Sequence, residues 1–77
     1  MATGGKDRQI QRRLGERVRV LRKDKSFSQE AFADACGLHR TYMGSVERGE
    51  TNPTLSSLAT IARKLKISTS KLLEGVD

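Results

Sequence analysis

Residues 28–50 read SQEAFADACGLHRTYMGSVERGE, two short runs of helical apolar spacing that meet at Gly37. Ser28 is a good N-cap, and Glu30 falls in the first turn, where the helix dipole favours an anion. Ala31, Phe32 and Ala35 supply an apolar face until Gly37, a residue that adopts the left-handed conformation cheaply and so ends helices. A further helix is expected from about His39 to Arg48, stopping at Gly49. A chain that breaks one helix at a glycine and starts another almost at once builds this stretch from two short helices.

The rest of the chain fits that pattern. "MATGGKD" has two adjacent glycines and no periodicity, so residues 1–7 are expected to be a flexible tail ahead of a domain over residues 8–77. Ile10, Leu14, Val18 and Leu21 follow one stripe of a helix from about residue 8 to residue 24. After the loop "ETNPT", Thr54 can cap a fourth helix, with Asn52 followed by Pro53 at N1 as the alternative. Leu55, Leu58, Ile61, Ala62 and Leu65 form its apolar face. Ser68 can then cap a last short helix carrying Leu72, Leu73 and Val76. Five helices without a strand signal give an all-α domain.

Charge is unevenly spread. Lys6, Arg8, Arg12, Arg13, Arg17, Arg19, Arg22, Lys23 and Lys25 face only Asp7, Glu16 and Asp24 in the first 25 residues, while the remaining residues balance. A basic segment of this kind points toward a polyanion, nucleic acid before membrane, with a solvated helix face as the plainer alternative. Cys36 is the only cysteine. It permits no intrachain disulfide, excludes zinc sites built from several thiolates, and reads as buried packing. The N-terminus lacks the apolar core of a signal peptide, and no stretch approaches the roughly 20 apolar residues of a membrane span. A cytoplasmic location follows as the expectation.

Angular bookkeeping singles out one helix. With Arg40 at zero, Gly44, Arg48, Thr41 and Ser45 fall between about 40° and 140°, whereas Tyr42, Val46 and Met43 fall between about 200° and 300°. One side is apolar and the other small or hydrogen-bonding. Such a helix can pack inward and present its outer face to a DNA major groove, roughly 12 Å wide. Arg40 can donate two parallel hydrogen bonds to guanine, and Thr41 or Ser45 can reach a base or phosphate. Gly44 suits a close approach there, or crowding against another helix.

With those residues in place, the stretch from Gln29 to Arg48 resembles the helix-turn-helix of Cro and cI repressor-like (XRE-type) regulators. Ala33, Gly37, Leu38, Met43 and Val46 stand at that family's packing and turn positions. The resemblance covers about residues 10 to 76 and implies a compact five-helix, lambda-repressor-like domain whose second and third helices form the helix-turn-helix. "GLHRTYMGSVERG" on a short chain is especially similar to the controller proteins of restriction-modification systems, homodimers that bind operator DNA and regulate a restriction endonuclease with their own gene.

Carried over residue by residue, the resemblance implies base contacts from Arg40, Thr41 and Ser45, with Arg48 near a base or the backbone. It implies backbone contacts from Ser28, Gln29, His39 and Asn52, and a structural ion pair between Arg22 and Glu47. Gly44 and Ser45 are both small, so specificity is expected to lean on Arg40 and on DNA shape.

One short recognition helix covers few base pairs, so a homodimer on a two-fold symmetric operator is expected. Ile67, Leu72, Leu73 and Val76 offer more apolar surface than a terminal turn needs, which makes them candidates for the dimer interface. An enzyme is not expected, since Cys36 and His39 lack an orienting set and no phosphate-binding loop follows Gly4 and Gly5. Neither a metal, a cofactor nor a small-molecule effector is indicated. The competing class is an antitoxin-like protein-interaction module on the same scaffold, which would lack the steep salt dependence of DNA binding.

Overall fold

The computed structural model describes residues 4–77. Five helices follow one another: α1 (Gly4–Asp24), α2 (Gln29–Cys36), α3 (Arg40–Glu47), α4 (Leu55–Lys64) and α5 (Thr69–Leu72). Local chemistry sets most of their ends. The hydroxyls of Ser28, Thr54 and Ser68 each accept the backbone N–H three residues on, at 3.0, 3.1 and 3.0 Å. Each satisfies one of the donors that a helix start leaves orphaned. Thr54 therefore begins α4, and Asn52 and Pro53 lie in the loop before it. At the other end of α2, Gly37 has φ 67°, and Leu38 N–H returns to Ala33 O at 2.9 Å in a Schellman closure.

α1 starts earlier than its apolar stripe. Residues 4–7, expected in the tail, are helical, while residues 1–3 of that tail lie outside the described residues. Asp7 in the first turn complements the helix dipole, and extending an existing helix needs no apolar face.

α1 packs on α3 and α5, and α4 packs on α2 and α5, with α2 and α3 joined through the Gly37 turn. The core between them holds Val18, Phe32, Met43, Val46, Ile61, Leu65 and Leu72, all essentially without solvent contact. Burying one such side chain fully is worth roughly 1.5–3 kcal/mol. Phe27 tilts against Phe32 with ring centroids 5.2 Å apart. Cys36 is buried, which pushes its thiol pKa up, partly offset by Lys64 and Arg63. No helix among the described residues is long and apolar enough to cross a membrane.

Two residues of the expected apolar faces are left uncovered. Ile10 is 38% exposed and Leu55 73% exposed, because α1 near Ile10 and the first turn of α4 run past the elements that would cover them. Conversely, Leu72 and Val76 are buried within the protomer and cannot line a dimer interface as they stand. Arg17 explains their position. Its Nε donates to Leu72 O at 2.9 Å and its Nη2 to Lys71 O at 2.8 Å. The guanidinium thus caps the carbonyl end of α5 and holds it on α1. Ile67 and Leu73 remain half-buried at the edge of the core.

Candidate nucleic-acid interface

Met43, Val46 and Glu47 anchor α3 from within, and Arg40, Thr41 and Arg48 stand exposed on its outer side, with Ser45 half-buried between them. The anchor is electrostatic as well as apolar. Arg22 Nε and Nη2 meet Glu47 Oε2 and Oε1 at 2.6 and 3.0 Å, a two-point pair whose side chains are 7% and 3% exposed. Arg22 Nη1 also donates to Phe27 O at 2.8 Å, so one guanidinium ties the end of α1, the α1–α2 turn and the end of α3 together. α1 can come this close because residue 15 is glycine. A Cβ there would overlap the carbonyl oxygens of Val46 and Glu47.

Gln29, the first residue of α2, is half-buried and donates its amide N–H to Glu47 Oε1 at 3.1 Å. The Arg22–Glu47 pair therefore also orients Gln29. Gly44 lies beneath two side chains: a Cβ at that position would stand 3.0 Å from Arg48 Nη1 and 3.4 Å from Gln29 Oε1. The crowding at Gly44 comes from the Arg48 and Gln29 side chains rather than from another helix backbone. Arg48 folds back across its own helix, and glycine leaves it the room.

His39 is the N-cap of α3, accepting Thr41 N–H at Nδ1 over 3.1 Å. That bond requires the tautomer with its proton on Nε2, which leaves a donor facing solvent. Ser28 likewise keeps its O–H after capping α2. Asn52 is exposed in the α3–α4 loop. The helix starts at Ser28 and His39 thus lie either side of the Gly37 turn, with solvent-facing donors at both.

Two partners escaped the sequence reading. Glu30 Oε2 lies 3.7 Å from Arg40 Nη1, both about two-thirds exposed, and Glu50 Oε1 lies 3.0 Å from Arg48 Nε. Exposed pairs of this kind are worth about 0–1 kcal/mol. Glu50, two residues after Arg48, could have been found from spacing, but Glu30 and Arg40 meet only once α2 and α3 are folded together.

A helix held from behind, with a short partner helix before it and hydrogen-bonding side chains in front, is the architecture of a helix-turn-helix reader. Residues 18–72 match the Helix-turn-helix family HTH_3, and the chain belongs to it. It is 53% identical over 60 residues to the control protein C.SmaI of Serratia marcescens, covering 78% of this chain and 71% of that one. The crystal structure of the restriction-modification controller protein C.AhdI from Aeromonas hydrophila superposes with a TM-score of 0.77 at 41% identity, covering 79% of this chain and 92% of that one. The crystal structure of SinR, the master regulator for biofilm formation, in complex with DNA superposes with a TM-score of 0.75 at 32% identity, covering 79% of this chain and 98% of the chain in that structure.

Proposed function

We propose that the chain binds operator DNA as a homodimer, placing α3 in the major groove, and acts as the controller of a restriction-modification system. Its family and relatives are DNA-binding regulators of transcription, and the chain is a regulator of that kind rather than an enzyme. The observation that carries the finer reading is the outward arc of exposed Arg40, Thr41 and Arg48 with half-buried Ser45 among them, on a helix whose other side is clamped by Arg22 and Glu47.

In this reading Arg40 donates to a guanine, and Thr41 and Ser45 reach bases or phosphates from the same arc. Arg48 exchanges Glu50 for a base edge or phosphate. Ser28, Gln29, His39 and Asn52 hold the backbone with their free donors, the α2 N-terminus adding its dipole to the phosphate site. Two copies set their α3 helices roughly 34 Å apart on a two-fold symmetric site. Ile67 and Leu73 supply the apolar part of the contact between copies, since Leu72 and Val76 are already covered. Occupancy of a promoter region then controls the endonuclease gene and the regulator's own.

Selection of bound sequences from a random duplex pool tests this directly. A two-fold symmetric motif, together with a dimer in sedimentation at tens of micromolar, is the expected result. Enrichment of nothing, from a folded protein, would defeat the DNA-reading role.

A further inference from the structure

α1 carries a large excess of basic residues outside the helix-turn-helix, and the function proposed above assigns it nothing. With Leu14 as zero, Arg22 and Gly15 lie at about 80° and 100° on α1, and Arg8, Arg19 and Arg12 follow at about 120°, 140° and 160°. Arg13 and Arg17 lie on the opposite flank, at about 260° and 300°. The two flanks face different neighbours. Gly15 and Arg22 touch α3, whereas Arg17 grips α5 and Arg13 reaches Asp77 O. Arg8, Arg12 and Arg19 thus line the α3 side of α1. All three are exposed, and among the described residues none makes an ion pair or a side-chain hydrogen bond. The nearest acid on the helix is Glu16, at about 200°.

This stripe runs into the proposed DNA-binding surface. A Cβ on Gly49 would stand 2.7 Å from Arg12 Cα, so the α1 backbone passes directly against the turn that follows α3. Arg48 is one residue before that turn's glycine and Asn52 three residues after it. From Arg8 to Arg19 the helix rises about 16 Å. One strand of duplex DNA passes about five phosphates over that distance, at about 3.4 Å each.

We infer that Arg8, Arg12 and Arg19 form a second, sequence-independent contact with the phosphate backbone of duplex DNA, continuing the surface of α3 along α1. This rests on the DNA-binding reading above and adds a separate element to it. Arginine donates bidentately to phosphate oxygens, and three unpaired guanidinium groups need release no intramolecular partner first. Phosphate contacts position a protein without reading bases. The stripe therefore contributes equally to operator and random DNA.

The test is the salt dependence of affinity for two duplexes of about three helical turns, one enriched from a random pool and one scrambled. Arg8→Gln/Arg12→Gln/Arg19→Gln should reduce the slope of log affinity against log salt by about two to three, near 0.9 per lost contact. The ratio of affinities between the duplexes should stay unchanged. Arg13→Gln/Lys66→Gln/Lys71→Gln removes as much charge from the α5 side and should leave the slope nearly intact. The Arg→Lys triple at positions 8, 12 and 19 should keep it. Because the Arg12 stem packs on Gly49, Arg8→Gln/Arg19→Gln provides a variant free of that contact, with a loss of about two expected. An unchanged slope, equal loss in the α5-side control, or a collapsed affinity ratio would overturn the inference while DNA binding stands. A parent chain that binds neither duplex would remove the DNA-binding reading itself.

Discussion

Two pairs of arginines make opposite use of one side chain. Arg22 and Arg17 are fixed by structure: the first is sealed against Glu47, and the second caps α5 through Leu72 O and Lys71 O. Arg40 and Arg48 point outward and meet only exposed acids, at 3.7 and 3.0 Å. Burial sets Arg22 apart most sharply, while half-buried Arg17 is held by its two carbonyl partners. A guanidinium at 7% exposure has exchanged water for a carboxylate and is costly to disturb, whereas one at 69% keeps its hydration and can change partner with little loss. The molecule holds α3 and α5 in place with one set and presents the other set on α3.

Breaking the structurally fixed set should cost the most. Glu47→Ala strands the Arg22 guanidinium inside the fold and frees the Gln29 amide, and a buried pair broken from one side typically loses about 3–5 kcal/mol. Chemical denaturation should show that loss, and DNA affinity should fall on every sequence because α3 loses its anchor. Arg17→Ala comes next. It removes two charge-assisted hydrogen bonds from the end of α5, each worth roughly 1.5–3 kcal/mol. Part of that is returned, since water can reach the freed carbonyls. Hydrogen exchange should show α5 opening first, together with exposure of Leu72 and Val76.

The outer set should behave in the reverse way. Arg40→Ala is expected to leave denaturation curves within about 0.5 kcal/mol of the parent. It should weaken binding to the selected operator by about 1–3 kcal/mol, with less effect on scrambled DNA. Equal losses on both duplexes would place Arg40 on the backbone and merge it with the phosphate-holding residues.

What the sequence could reveal divides along the range of the forces involved. Ser28, Gly37, Thr54 and Ser68 act within a few residues of themselves, so their roles as caps and turn are readable from neighbours alone. The exposed arc of α3 is equally legible, because helical geometry alone sorts Arg40 and Thr41 from Met43 and Val46. Periodicity failed at Ile10 and Leu55 because it marks a face that could be buried without saying whether another element reaches it, and the apolar surplus read as a dimer contact at Leu72 and Val76 is taken up by the protomer's own core. Arg17 is one of nine basic residues in the first 25, and nothing local distinguishes the one that caps α5. The DNA-facing roles proposed for Ser28, Gln29, His39 and Asn52 rest on family likeness rather than on any local signal.

The smallest effect probes whether the outer set is as lightly held as its exposure implies. In the proposed binding mode Glu30 is the partner that Arg40 would leave to reach a base, and it also places a negative charge at the α2 N-terminus, where a phosphate would sit. Both contributions oppose DNA. Glu30→Gln removes them while keeping length and hydrogen-bonding capacity. It forfeits a favourable helix-dipole interaction of about 0.3–1 kcal/mol and an exposed ion pair of similar size or less. The variant should therefore be slightly less stable yet bind DNA more tightly, by up to roughly fivefold for about 1 kcal/mol. The gain should appear on operator and scrambled duplex alike and shrink as salt rises, because screening already weakens an exposed charge. A gain confined to the operator would instead mean that Glu30 competes with the base for Arg40, making the pair part of the reading mechanism rather than a passive rest position.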